Sequence, residues 1–141
     1  MKFAYLKFPL PKASLLFGDA ILRPIVPISI SYGGKTLRYA ALIDSGADFC
    51  IFDAQIGDYL GIDIAAGTRE KFGGVQEKGG AEAFLHHVSL SIGGATYETT
   101  VGFSRDIAPY GFGLLGQKGF FENFSVKFDL HREEIEIQTR R

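Results

Sequence analysis

Three segments of this 141-residue chain alternate apolar and polar residues and turn back at a short break. The first runs from residue 24 to residue 43 around Gly33-Gly34, the second from 88 to 103 around Gly93-Gly94, and the third from 125 to 138. Alternation with period two places one face of a strand in a core, and paired glycines supply the positive φ angles of a tight turn. The pattern predicts three hairpins and an all-β fold.

Two stretches break the alternation and predict short helices. In residues 53–60, Asp53 is a candidate N-cap, the apolar positions recur at helical spacing, and Gly61 follows as a terminator. Residues 117–124 place three phenylalanines on one helical face. Residues 1–22 have weaker periodicity and predict a leading strand and a loop.

The length fits a single domain, which we divide into an extension, residues 1–22, and a domain proper, residues 23–141. The net charge of −1 argues against a nucleic-acid partner. No apolar run approaches the ~18 residues of a membrane span, so no membrane partner is expected. The first ten residues lack the apolar stretch of a secretory signal, and the single cysteine, Cys50, cannot form an internal disulfide, which predicts a cytoplasmic protein.

A carboxylate ends the apolar run of residues 40–43, because Asp44 follows Ile43 directly and Ser45-Gly46 comes next. An acid delivered to the end of a core strand costs free energy unless it is hydrogen-bonded or used chemically. Residue types alone leave two interpretations open. Asp44 either caps its own backbone in an ordinary Asp-Ser-Gly turn or is a catalytic acid.

Four motifs stand in order along the chain. They are Arg23-Pro24-Ile25-Val26, Asp44-Ser45-Gly46-Ala47 followed by Asp48, the glycine-rich Gly73-Gly74-Val75 with Gly79-Gly80, and Gly113-Leu114-Leu115-Gly116. Together they resemble the motifs of the retropepsin-like aspartic proteases, the single-lobe family that includes the retroviral proteases. The resemblance covers residues 23 to about 128 and implies a closed acid-protease-type β-barrel with one or two short helices.

The resemblance implies an aspartic endopeptidase that hydrolyses a peptide or protein substrate without a metal or other cofactor. Asp44, Ser45 and Gly46 would be the catalytic residues, with the Ser45 hydroxyl bonding across a dimer. The substrate-binding residues would be Ala47, Asp48, Gly73, Gly74 and Val75, the last three in a flap. The chain ends would contribute strands to the dimer interface.

Chemistry independently requires a second copy. Aspartic proteolysis uses two carboxylates that share one proton, and this chain holds one Asp-Ser-Gly motif. A twofold homodimer supplies the second carboxylate by bringing Asp44 against its own mate.

Two alternatives stay open at this point. The chain could keep a peptide-binding groove without hydrolysis, or it could be a monomeric structural or regulatory protein in which Asp44 only forms a turn. One departure from the retroviral pattern concerns Gln117, which stands where those enzymes carry arginine. Asp48 then lacks a same-chain cation, and Arg23 of a second copy is the remaining candidate.

Overall fold

The computed structural model describes residues 1–73 and 80–140, and 61% of these residues lie in strands. The strands are β1 (Lys2–Ala4), β2 (Leu6–Ser14), β3 (Gly18–Arg23), β4 (Ile25–Tyr32), β5 (Lys35–Ile43), β6 (Ile51–Asp53), β7 (Thr68–Phe72), β8 (Ala81–Ile92), β9 (Ala95–Ser104), β10 (Gly113–Leu115), β11 (Phe124–Asp129) and β12 (Glu134–Thr139). The described residues form one α-helix, α1 (Ala54–Tyr59), and two single-turn 3-10 helices, Ile64–Ala66 and Ala108–Tyr110. The all-β prediction is confirmed.

Seven strands form the main sheet in the order β4-β5-β10-β6-β9-β8-β7. An additional antiparallel pairing joins β4 to β8, with Ser29 opposite Ser91 and Ser31 opposite Ser89. That pairing closes six of the strands into a barrel and leaves β7 outside on the edge of β8. The prediction of a closed barrel is therefore confirmed.

All three predicted hairpins form. β4 pairs with β5 through Gly33 and Gly34, at φ +57° and +83°, and β8 pairs with β9 through Gly93, at φ +59°. β11 pairs with β12 along six residue pairs. Their inward faces meet in a core built around Phe52, Phe103 and Phe120, each fully buried.

The helix predicted over residues 53–60 is confirmed as α1. Asp53 is its N-cap, and the Asp53 carboxylate accepts a hydrogen bond of 3.0 Å from the Gln55 N–H. Gly61 follows the C-cap at φ +84°, a left-handed conformation that ends the helix.

The second predicted helix, over residues 117–124, is wrong. This segment is a series of turns in which the Phe121 and Glu122 N–H groups reach back five residues, to the Gly116 and Gln117 carbonyls. Gly119 lies at φ +94°, and its N–H binds the Glu122 carboxylate at 2.9 Å. A left-handed residue in mid-segment prevents a continuous helix, and the phenylalanine spacing instead serves core packing.

The extension, residues 1–22, has more strand than predicted. β1 pairs with β12 in a small three-stranded sheet, so the two ends of the described chain meet within one molecule. β2 and β3 form a separate two-stranded hairpin where a loop was expected. Prolines at positions 9 and 11 obscure the strand signal of β2 in the sequence.

Among the described residues, no helix has the length and apolar character needed to cross a membrane.

Candidate active site

Asp44 is placed by the strand that inserts beside it. β10 lies between β5 and β6, parallel to β5 and antiparallel to β6. The Asp44 N–H continues the ladder beyond Ile43 and donates to the Leu115 carbonyl at 3.0 Å. The start of the Asp44 loop is therefore fixed by an element that lies about seventy residues further along the chain.

The Asp44 loop (residues 44–48) opens with a tight turn. The Ala47 N–H donates to the Asp44 carbonyl at 3.1 Å, and the Gly46 N–H donates to Asp44 Oδ1 at 2.9 Å. A β-carbon on Gly46 would lie 3.2 Å from that same oxygen, so glycine keeps the backbone close to the carboxylate. Asp44 is half-buried, whereas Ser45 and Gly46 are exposed on the outside of the loop.

The far side of the loop is held by the segment after β10. The backbone N–H groups of Gln117 and Lys118 donate to the carbonyls of Ala47 and Asp48, at 2.9 and 3.0 Å. The Gln117 side chain adds a hydrogen bond of 3.1 Å from Nε2 to the Ser45 carbonyl. Three carbonyls of the loop, those of Ser45, Ala47 and Asp48, are thus bound by two residues.

The bonds within the turn are those of an ordinary Asx turn and do not distinguish the two interpretations of Asp44. The hydrogen bonds that hold the turn from both sides give further evidence. A turn that only reverses the chain needs no neighbouring strand on one side and no bonded segment on the other. Here both are present, so the Asp44 carboxylate is held at a fixed place on the barrel edge.

Gly116 makes this close approach possible. A side chain at this position would collide with the carbonyls of Phe49 and Ala47. The apolar-apolar-glycine motif seen in the sequence therefore has a steric reason in this structure, because its glycine packs directly on the Asp44 loop.

Only part of the predicted flap lies within the described residues, and its role stays a prediction. β7 pairs with β8 antiparallel, and Gly73 directly follows β7 at φ +115°. Gly74 and Val75, the other two predicted flap residues, lie outside the described residues. The β7–β8 pair reaches the Asp44 loop through an edge-to-face contact between Phe49 and Phe72, with ring centroids 6.2 Å apart.

Sequence reasoning missed Phe49 and the role of Gln117. Phe49 comes directly after the Asp44 loop, and Gly102 of β9 leaves room for its ring, since a β-carbon there would lie 2.7 Å from it. Nothing local in the sequence joins Phe49 to Phe72 or Gly102. In the sequence, Gln117 stands out only because it replaces an arginine of the retroviral enzymes. Its side-chain amide can nevertheless donate a hydrogen bond to the Ser45 carbonyl.

Asp48 is exposed and forms no ion pair with any residue in the ranges 1–73 and 80–140. The guanidinium of Arg23 in the same chain lies 5.9 Å from the Phe8 ring centroid. The pairing of Asp48 with Arg23 of a second copy stays a prediction.

Most other aspartates have a visible structural task. Asp53 caps α1, and Asp58 pairs with Arg105 at 2.7 Å. Asp106 accepts the Glu82 N–H, and Asp129 accepts the Arg132 N–H. These four carboxylates are used in capping and pairing, whereas the Asp44 carboxylate accepts a hydrogen bond only from its own loop among the described residues.

The remaining reactive side chains fit structural roles. Burial raises the pKa of the Cys50 thiol to about 12, so the group is neutral near pH 7 and a poor nucleophile. His86 Nε2 lies 2.8 Å from the Ile64 carbonyl and must donate to it, whereas His87 is exposed beside Glu98. As neighbours on β8, these two histidines face opposite sides of the strand. Within the described part of the chain, no three His, Cys, Asp or Glu residues cluster as metal ligands would.

Comparison with known proteins gives little beyond this geometry. No protein-family model matches the chain, and no curated protein does. A similar solved structure is that of the EIAV protease in complex with an inhibitor, at 20% identity and a TM-score of 0.46, covering 75% of this chain and 88% of that one. A likeness at this level assigns neither family nor activity, which must be argued from the Asp44 loop itself.

Proposed function

We propose that this protein is an aspartic endopeptidase that works as a homodimer, with one Asp44 carboxylate from each chain. The observation that carries the proposal is the half-buried Asp44 carboxylate, held on a loop that β10 and the Gly116–Lys118 segment clamp from both sides. A catalytic group must be held within a fraction of an ångström of its working position, and this clamp provides such support.

The hydrogen bond from Gly46 to the Asp44 carboxylate suits this mechanism. The Gly46 N–H occupies Asp44 Oδ1, and no described residue donates to Oδ2. When two loops meet on a twofold axis, one carboxylate is ionised and takes a proton from the attacking water. The other is protonated and donates to the scissile carbonyl as the tetrahedral intermediate forms.

The exposed Ser45 and Gly46 would face the second copy, in agreement with the role that the resemblance gives to the serine hydroxyl. The β7–β8 pair lies beside the same loop through Phe49 and Phe72. Its position suits a flap that covers a bound peptide and keeps bulk water from the intermediate.

The test is cleavage of a peptide library by the wild-type protein, by Asp44→Asn and by Asp63→Asn. Asp44→Asn keeps the side-chain size, removes the ionisable group and should lower the rate by at least about 10³-fold. Asp63 is exposed, and its side chain makes no capping bond, so Asp63→Asn should cleave like the wild type.

Circular dichroism and sedimentation of the three proteins should agree, because the change removes chemistry and leaves the fold. Cleavage by Asp44→Asn near the wild-type rate would overturn the proposal. Specific peptide binding by the wild type without any cleavage would favour the silent peptide-binding alternative.

A further inference from the structure

The hairpin formed by β2 and β3 stands apart from the barrel. We call it the arm (residues 6–23). Its two strands pair with each other and with no other strand of the described chain. Contacts with the body are found at its base, where Lys7 pairs with Glu133 at 3.5 Å. A lone two-stranded hairpin is marginally stable in water, so an arm of this kind needs a second surface.

The tip of the arm is apolar and ordered. Leu15, Leu16 and Phe17 are 108%, 81% and 53% exposed, the most apolar exposure on three consecutive residues of the described chain. Ser14 fixes the turn, because its hydroxyl oxygen accepts the N–H groups of Leu16 and Phe17 at 3.1 and 3.2 Å. The structure therefore presents three large apolar side chains to solvent on a defined turn, as interaction sites do.

The strand edges argue for contact through side chains. Pro9 and Pro11 remove two backbone N–H donors from β2, and the register of β2 against β3 shifts between Pro9 and Ser14. Prolines on an edge strand prevent open-ended pairing of sheets. A contact through the apolar side chains of the tip needs no free strand edge.

A matching surface lies on the barrel at the base of the arm. An apolar groove of about 380 Å³ is lined by Leu6, Ile25, Pro27, Tyr39 and Ala40, among others. The tip of the arm in the same chain does not fill it, since Leu15 and Leu16 are exposed.

The base of the arm and the groove both lie close to the strand that leads into the Asp44 loop. The arm joins the barrel at Pro24, whose carbonyl accepts the Ile43 N–H at 2.9 Å. Ile25 of the groove pairs with Leu42 in the ladder between β4 and β5. The edge where the proposed mechanism requires a second Asp44 is thus the edge that carries the arm and the groove.

We propose that the arm docks on a second copy of this chain, with its tip in the groove of that copy and the reverse contact made by symmetry. The proposal rests on the proposed function for the place of the twofold axis. β2 has nine residues and spans about 30 Å, whereas Ala40 lies four residues from Asp44, about 13 Å along β5. An arm of that length reaches across the axis to the groove of the partner.

Charge favours a protein partner over a lipid surface. The arm carries Lys7, Lys12, Arg23 and Asp19, and Lys7 is already paired with Glu133. Segments that bind anionic lipid headgroups concentrate about four to eight basic residues. The remaining charge on the arm is too small for that, whereas self-association needs only the two apolar surfaces.

The first experiment is sedimentation equilibrium of the wild type and of the triple variant L15S/L16S/F17S. The matched control is F128S/L130S, which removes two exposed apolar side chains of the β11–β12 turn. We expect the triple variant to dimerise about a hundredfold more weakly, because the contact loses the apolar area of three side chains. The control should change the dimerisation constant by less than about twofold. An unchanged dimer in the triple variant would overturn the arm contact and leave the proposed protease intact.

A second experiment traps the contact itself. In a Cys50→Ala background, L16C/A40C should form a disulfide-linked dimer on oxidation, whereas L16C/F128C should not. Failure of L16C/A40C to cross-link while the protein is dimeric would place the tip elsewhere and refute the groove. Binding of the wild type to anionic vesicles that is lost in the triple variant, with no dimer in either, would refute the second copy in favour of a lipid surface.

The two proposals fail separately. If the wild type dimerises through the arm but cleaves no peptide, the arm contact stands and the proposed protease activity is refuted. If the protein dimerises and cleaves peptides equally well without the apolar tip, the arm contact is refuted and the proposed protease activity stands.

Discussion

The Asp44 loop and the arm are both exposed segments on one edge of the barrel, and the chain holds them in opposite ways. The loop is short, polar and bound to its neighbours at both ends, by Leu115 on one side and by Gln117 and Lys118 on the other. The arm is long and has an apolar tip, and its strands pair only with each other among the described strands. The loop is complete within one chain as a structure but has one carboxylate where the proposed chemistry needs two. The arm is incomplete as a structure, because its strands pair with no other described strand.

The contrast indicates where a second copy would act in the proposed dimer. Rigid support around Asp44 leaves the loop ready for a partner that supplies the other acid, and the arm has the exposed apolar surface that can hold such a partner. The predictions below separate the contribution of the barrel and its loop from that of the arm.

The largest difference should appear between a barrel phenylalanine and an arm leucine. Phe120→Ala leaves a cavity in the fully buried core and should lower the free energy of unfolding by about 4 kcal/mol. Leu16→Ala removes an exposed side chain and should change it by less than about 0.5 kcal/mol in the monomer. Urea unfolding at a concentration too low for dimers measures both. Equal losses would mean that the arm is part of the core.

A smaller effect is expected for the glycine beneath the loop. Gly116→Ala places a methyl group against the carbonyls of Phe49 and Ala47 and should cost about 3 kcal/mol of stability. Gly94→Ala is the matched control, because a β-carbon there meets nothing within 4 Å. Thermal unfolding of the two variants checks this, and a Gly116→Ala protein as stable as Gly94→Ala would contradict the clamp.

The Gln117 side chain should matter more to activity than to stability. Gln117→Ala removes one exposed hydrogen bond to Ser45 and should cost no more than about 1 kcal/mol of unfolding free energy. Because the loop is then held less firmly, kcat should fall by about tenfold with KM little changed. Gln138→Ala removes a comparable exposed bond to Glu136 and serves as the control. An increase in KM with kcat unchanged would show that Gln117 contacts substrate instead.

The weakest predicted effect is the pH response of a surface ion pair. Hydrogen bonds from Arg105 lower the pKa of Asp58, so the folded state holds its carboxylate charged more strongly than the unfolded chain does. Its stabilisation is therefore present above about pH 4 and lost as the pH falls through the lowered pKa. Both side chains are about half exposed, so Asp58→Asn should cost less than about 1 kcal/mol at pH 7.

Urea unfolding at pH 7 and at pH 3 measures this difference, with Asp63→Asn as the unpaired control. A cost that grows on acidification would contradict the assigned direction.

The elements that the sequence predicted correctly depend on short-range signals. The hairpin turns at Gly33 and Gly93 and the cap at Asp53 each depend on residues within a few positions, and the Asp-Ser-Gly turn does too. Their outcome follows from local φ angles and hydrogen bonds, which sequence patterns reflect directly.

The elements that it missed depend on distant partners. The phenylalanines of residues 117–124 have helical spacing, but Gly119 and the backbone bonds to the Asp44 loop impose turns there. β10 inserts between β5 and β6, and Phe49 contacts Phe72. In both cases the sequence has no pattern that indicates which segments meet. Only the tertiary fold reveals these.

The insertion of β10 also sets the order of events during synthesis. The Asp44 loop leaves the ribosome about seventy residues before the strand that supports it, and long-range parallel pairing is among the slow steps of folding. Until residues 113–118 have emerged and taken their place, the loop has neither its Leu115 anchor nor its Gln117 bond. A nascent chain is therefore without an organised Asp44 loop, and the proposed peptide hydrolysis would have to wait until residues 113–118 have been made.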